Sequence, residues 1–302
     1  MTMHQANTLT HPHTLSGTAH PRFGVATIDV EGFPFLDLNE QQFVDLIVQE
    51  RLQGRGGWAI TPNCDILRQA HADPKLRALF HSADAIVADG MPIIWASRIQ
   101  GTPLRGGRVC GSDLIYSIPE ECARAGLSIF LLGGVDGSGE RTATILAEKN
   151  PGLTIAGMYS PPFGFEKHPQ EYARMRALIH EAKPDVIFVA LSVPKSERLI
   201  QEIRAAAPDA WWIGVGASFD FVSGSIGRAP AFLQRVGLEW LYRMTQDPQR
   251  LVRRYLRDDL PYAARMFMNA VRRRFAPVHA PTPATQPVQA PSATAEKPRI
   301  AA

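Results

Sequence analysis

Four short apolar runs constrain this chain's fold more than any other feature: Ala85–Ala88, Ser128–Leu132, Asp185–Leu191 and Trp211–Val215. None alternates apolar with polar residues, so each suits a strand buried on both faces, as in a parallel sheet. Each ends abruptly in a glycine or polar residue: Asp89-Gly90, Gly133-Gly134, Ser192 and Gly216. Gly57–Thr61 and Leu153–Met158 read as two further strands. Helical segments intervene over Asp65–Phe80, with a break at Asp73-Pro74, and over Ile93–Ile99, Gly139–Lys149, Pro169–Ala182 and Pro194–Ala207. Strand-helix alternation at this spacing predicts an α/β chain with a Rossmann-like, mostly parallel sheet of about six strands, helices covering both faces.

Ahead of this block, Phe23–Val30 and Phe33–Leu38 flank Glu31-Gly32 and read as a hairpin. Asn39 is placed to cap a helix over Glu40–Leu52. The chain divides into four parts. Residues 1–20 form a polar tail with His4, His11, His13 and His20, and residues 21–228 the α/β core. Residues 229–275 contain no strand-like run and carry ten arginines against Glu239, Asp247, Asp258 and Asp259, a basic helical appendage. Residues 276–302 are rich in Pro, Ala, Thr and Gln. Neither tail has enough apolar surface to offset its chain entropy, so both are expected to be disordered.

Composition excludes several classes. The net charge of +3 says little about partners, and no nucleic acid is expected because the basic segment also carries apolar residues and no recognition motif is present. Cys64, Cys110 and Cys122 match no zinc spacing and read as reduced thiols of a cytoplasmic protein. No secretory signal is apparent, and no run approaches the roughly 18 apolar residues of a membrane span. Membrane contact is therefore expected to be peripheral. Met266, Phe267, Ala270 and Val271, rimmed by Arg265 and Arg272–Arg274, suggest an amphipathic helix lying on an anionic surface, the alternative being a helix packed on its own core or on another subunit. Leu132–Gly139, LGGVDGSG, does not match the dinucleotide fingerprint GxGxxG. No P-loop, nucleophile elbow, HExxH or strand-end Asp-x-Asp occurs. No cofactor or metal ion is expected.

In a parallel sheet the strand ends lie side by side, where such folds bind ligands. Glycines there admit a phosphate to the backbone, and helix N-termini favour its charge. A diphosphate ligand is the natural inference. Asp89 is either a base at that rim or the cap of the next helix, and its position alone does not decide between them.

Eight ordered motifs do: Thr61-Pro62-Asn63; Asp89-Gly90-Met91-Pro92; Arg108–Leu114, RVCGSDL; Phe130–Gly134, FLLGG; Pro194–Glu197, PKSE; Gly214–Phe221, GVGASFDF; Arg228-Ala229-Pro230; and Gly237–Arg243, GLEWLYR. Together, from about Phe23 to about Leu256, they resemble the WecG/TagA/CpsF glycosyltransferases of bacterial envelope polysaccharide synthesis. The resemblance implies inverting, metal-independent transfer of a hexose or N-acetylhexosamine from a UDP-sugar to a polyprenyl-diphosphate-linked saccharide at the inner face of the cytoplasmic membrane. It makes Asp89 the general base and places Thr61, Asn63 and Arg108 in the pocket. Gly133, Gly134, Lys195, Ser196, Glu197, Asp220 and Arg228 join the substrate-binding set through their motifs. Appendage arginines Arg243, Arg250 and Arg253 are candidates to stabilise departing UDP. Self-association into a homo-oligomer is left open.

Two departures stand out. The family usually shows Gly-x-Gly-x-Pro-Lys-Gln-Glu, whereas this chain has Ala190–Glu197, ALSVPKSE, with Ser196 where a glutamine is associated with the site. A later Gly-Gly pair is Gly216-Ala217. Donor choice or rate is expected to reflect these changes. An NAD-dependent sugar-nucleotide enzyme and a non-catalytic scaffold of a polysaccharide assembly complex are the alternatives.

Overall fold

The structure, a computed structural model, describes residues 17–135, 137–230, 232–233 and 239–276, apart from the side chain of Arg250. Most of both expected tails lies outside the described residues. The boundary of the first shifts, because β1 (Thr18–Ala19) pairs with β2 (Ala26–Val30) and His20 stacks on Phe23 at 4.5 Å. The hairpin is present: β2 pairs antiparallel with β3 (Phe33–Leu36). Asn39 caps α1 (Glu40–Leu52) in a reciprocal capping box with Gln42.

The alternation then follows: β4 (Gly57–Ile60), α2 (Cys64–Ala72), α3 (Pro74–His81), β5 (Ala85–Ile86), α4 (Met91–Ile99), α5 (Gly111–Ala125) and β6 (Ser128–Gly133). It continues with α6 (Ser138–Lys149), β7 (Thr154–Tyr159), α7 (Pro169–Ala182), β8 (Val186–Ala190), α8 (Lys195–Ile203), β9 (Trp211–Gly214) and α9 (Ser218–Val222). The break at Asp73-Pro74 is real, with the Asp73 carboxylate accepting from Lys75 N to cap α3.

β4 to β9 form one six-stranded parallel sheet in the order β5-β4-β9-β8-β6-β7. Successive strand residues feed opposite faces, so the apolar runs split between two clusters. Ile187, Val189 and Trp212 join α2, α3, α4, α7 and α8 in one. Val186, Phe188, Trp211 and Ile213 join α1, α5 and α6 in the other. Full burial of such side chains is worth about 1.5–3 kcal/mol each. This is the covered α/β sheet that the sequence predicts. The order brings β9 between β4 and β8, so the loops after three distant strands meet at one rim.

The appendage comprises α10 (Glu239–Gln246), α11 (Pro248–Val252), a π-helical stretch over Arg253–Asp259, and α12 (Leu260–Phe275). Here one expectation fails. Met266 and Ala270 do not face a membrane: with Tyr262 they are buried at 0%, 2% and 4% exposure in the core cluster of the first face, and Phe267 packs against it. Of the four residues only Val271 is exposed, at 46%. α12 packs against α4, with α2 beside it, so its apolar side extends that core cluster over the helices that cover the sheet.

Candidate active site

Asp89 lies just beyond β5, its backbone fixed by Asp89 N donating to Pro62 O at 3.0 Å. It does not cap α4. That position belongs to Gly90, whose φ of +134° directs the chain away and leaves the carboxylate aimed at the cleft. Val109 N donates to Ala88 O at 2.9 Å, which lays the Arg108 loop alongside.

Two cavities meet at Asp89. The deeper, of about 120 Å³, lies over the ends of β4, β8 and β9 and includes Thr61, Ser196, Glu197, Gly214 and Phe221. The larger, of about 320 Å³, opens between α4 and the appendage and is walled by Met91, Trp95, Trp240, Tyr255, Leu260 and Phe267. Asn63, Asp89, Ser112 and Arg243 line both. Trp240 and Tyr255 meet edge-on with centroids 5.8 Å apart. The first cavity is polar and floored by backbone, whereas the second is aromatic and apolar.

Asp89 is the residue whose electrostatics stand out. Burial raises its pKa from the usual 3.8 to about 7, opposed by Arg108 and assisted by Glu239 and Asp113. Its side chain keeps 27% exposure, consistent with a carboxyl at the floor of a cleft rather than sealed in the core. A carboxyl poised near neutrality suits a general base.

Arg108 is shared among three carboxylates: Asp113 Oδ2 at 3.0 Å, Glu239 Oε2 at 3.8 Å and Asp89 Oδ1 at 4.0 Å. Arg228 pairs with Asp113 and also donates to Ser112 O at 3.1 Å. Asp113 thus locks the two arginines in place instead of capping α5, where no side-chain cap forms. Arg243 sits over the Phe221 ring at 5.0 Å. Burial raises Glu197, which accepts from Ser196 Oγ at 2.9 Å. Asn63 Oδ1 accepts from Ile66 N at 3.1 Å, so it caps α2 while facing the cavities.

Of the expected site residues, Thr61, Asn63, Asp89, Arg108, Ser196, Glu197 and Arg243 line one cavity or both. Arg228 stands behind Arg108 through Asp113. The others lie elsewhere for physical reasons. Lys195 turns outward to pair with Glu166. Gly133 and Gly134 serve packing: a Cβ on Gly133 would meet Ala190 O at 2.7 Å, and one on Gly134 would meet Ser138 Oγ. Asp220 faces neither cavity, and burial raises its pKa. The Arg250 side chain is outside the described residues. Arg253 is exposed, and its neighbour Arg254 reaches the larger cavity instead, pairing with Asp65 at 2.6 Å.

Sequence reasoning missed Asp113, Glu239, Trp240, Arg254 and Tyr255 as site residues. Asp113, Glu239 and Trp240 stood in plain view inside the motifs RVCGSDL and GLEWLYR. Arg254 and Tyr255 carried no signal, because the π-helical stretch that turns them inward has no sequence marker.

Comparison with known proteins bears on this geometry. The glycosyl transferase WecG/TagA/CpsF family matches residues 28–276. A relative from Bacillus spizizenii strain W23, named N-acetylglucosaminyldiphosphoundecaprenol N-acetyl-beta-D-mannosaminyltransferase, is 33% identical over 225 residues, covering 74% of this chain and 85% of its own. The match runs from within β2 to just past α12 and takes in every strand end and helix around the two cavities, so this chain belongs to the WecG/TagA/CpsF family and is a glycosyltransferase.

Proposed function

We propose that the enzyme moves a hexose or N-acetylhexosamine, with inversion, from a UDP-sugar to a saccharide carried on a polyprenyl diphosphate, in envelope or exopolysaccharide synthesis. The observation that carries this reading is the place of Asp89, where a small polar cavity over the strand ends meets a larger aromatic one. The relative's name supports the acceptor class and points to an N-acetylhexosamine as the sugar transferred.

In this reading the polar cavity takes the donor and the aromatic one the acceptor. Asp89, ionised, removes the proton of the acceptor hydroxyl. That oxygen attacks the anomeric carbon, and the bond to UDP breaks with its electrons on the diphosphate. Arg243, which lines both cavities, and Arg108 are placed to meet that charge, with the amides that open α5 at Gly111 and Ser112. Two arginines in a low-dielectric cleft supply charge without a metal ion, so transfer is expected to persist in EDTA. Ser196, being short and tied to Glu197, leaves donor space that a glutamine would fill.

The mouth of the aromatic cavity bears Trp95, Leu256 and Leu260 at 38%, 50% and 58% exposure. Among the described residues no helix is long and apolar enough to cross a membrane. An exposed apolar mouth beside the acceptor site fits peripheral docking on the inner leaflet, from which a lipid-linked substrate enters sideways. UDP release measured over a panel of UDP-sugars, with a short-chain polyprenyl-diphosphate saccharide as acceptor, tests the reading. Turnover is expected with one or few of them, and release without any acceptor dependence contradicts it.

A further inference from the structure

A groove of about 570 Å³, larger than either catalytic cavity, lies on a different face of α12. Arg265, Asn269 and Arg272 line it from α12 at helical spacing, while Met266 and Ala270 point into the core and Ala263 and Phe267 toward the acceptor cavity. The opposite wall is His71 and Arg77 from α2 and α3, with the hairpin turn Glu31-Gly32.

The groove is over-supplied with positive charge. Arg273 pairs with Asp29, and Glu31 accepts from Asn269 Nδ2 at 3.1 Å. Among the described residues Arg77, Arg265 and Arg272 have no carboxylate within 4 Å. Arg77 and Arg265 are braced over the Phe33 and Tyr262 rings at 5.8 and 5.0 Å. The C-terminal dipole of α12 accounts for cations in its last turn, Arg272 to Arg274. It accounts for neither Arg265, two turns earlier, nor Arg77, on another element. Glu31 is the one carboxylate among the groove's lining residues, with His71 Nε2 at 3.9 Å. Its φ of +56° is costly for a side-chain-bearing residue in a turn that Asn-Gly would make cheaply, and its carboxylate is held by Asn269 against the groove.

We propose that this groove binds a phosphate-bearing anion of headgroup size, separate from the catalytic pocket. Converging guanidinium forks match phosphate oxygens in number and geometry, and the volume falls in the usual range for small-ligand sites. The anion is a phospholipid headgroup or a free phosphate ester. Exposed Met268 and Phe275, one turn on either side of Arg272, set apolar side chains beside the groove as a lipid interface would require. The proposal stands whatever sugar the catalytic site transfers.

The test compares the full chain with an Arg265→Gln/Arg272→Gln pair and with a charge-matched control, Arg176→Gln/Arg198→Gln, both of whose arginines are exposed, at 41% and 61%. Co-sedimentation uses phosphatidylcholine vesicles with and without phosphatidylglycerol. Thermal unfolding uses inorganic phosphate. Binding to anionic vesicles that falls about tenfold or more in the groove pair, but not in the control, supports the site with a lipid headgroup. Unchanged vesicle binding with a phosphate-induced rise in Tm that is lost only in the groove pair supports it with a free phosphate ester. Equal losses in both pairs, or no change in either readout, overturn the proposal.

Discussion

Asp89 draws its chemistry from a balance of opposing neighbours. Burial and the carboxylates of Glu239 and Asp113 favour its proton, while Arg108 and Arg243 oppose them, and the pKa settles near 7. With Asp89 as the base, kcat/KM rises about tenfold per pH unit below 7 and levels above it. Replacing Glu239 by Gln removes a like charge and frees Arg108, so the profile should shift to lower pH. A shift to higher pH, or none, would show that Glu239 does not act on this group. Stability follows the same group with its own sign. A native pKa above the unfolded 3.8 means that the folded state holds the proton longer. The stabilisation is complete below about pH 4 and is lost as pH rises through 7. Asp89→Asn should therefore unfold at a higher temperature than the wild type at pH 8, with the gap closing toward pH 4. Gly90 is the companion test: a side chain at φ +134° is strained, so Gly90→Ala should cost on the order of 1–3 kcal/mol in denaturant unfolding.

The elements that close the site are fastened by charge. Arg68 and Arg254 alternate with Asp65 and Asp259 in a four-residue ring, with contacts of 2.5, 3.3, 2.6 and 3.7 Å. The ring ties the π-helical stretch to α2 and holds Arg254 and Tyr255 over the larger cavity. Removing Asp259 leaves both arginines to Asp65 alone and breaks the link from Arg68 to the π-helical stretch. Asp259→Ala should lower Tm and raise KM for the acceptor more than for the donor; equal effects on both would place the ring outside acceptor binding. The strands were legible from composition because burial on both faces permits only apolar runs. The hairpin, the Asn39 cap and the break at Pro74 were legible from turn chemistry. The facing of α12 was not. Met266 and Ala270 at helical spacing suit a membrane and a core equally, and only the packing of α12 on α4 decides between them.

At the scale of the whole molecule, the appendage is part of the fold and of the site at once. α12 extends the first core cluster over α4 with Tyr262, Met266 and Ala270, walls the larger cavity with Phe267, and lines the basic groove with Arg265 and Arg272. Cutting the chain before α10 would expose that core, so such a truncation should lose cooperative unfolding as well as activity. Met266→Ala alone should cost about 2–5 kcal/mol. The catalytic rim was legible because four strand ends carried small or polar residues in a recurring order. The aromatic wall of the larger cavity was not, because it comes from a segment whose register only the packed structure sets. The central claim is that Asp89, at the junction of the two cavities, is the base of a sugar transfer to a lipid-linked acceptor. Acceptor-dependent UDP release by Asp89→Asn, beside the wild type at pH 8, tests it most directly. The account predicts a loss of about 10²–10⁴-fold with the fold intact, and release at the wild-type rate would contradict it.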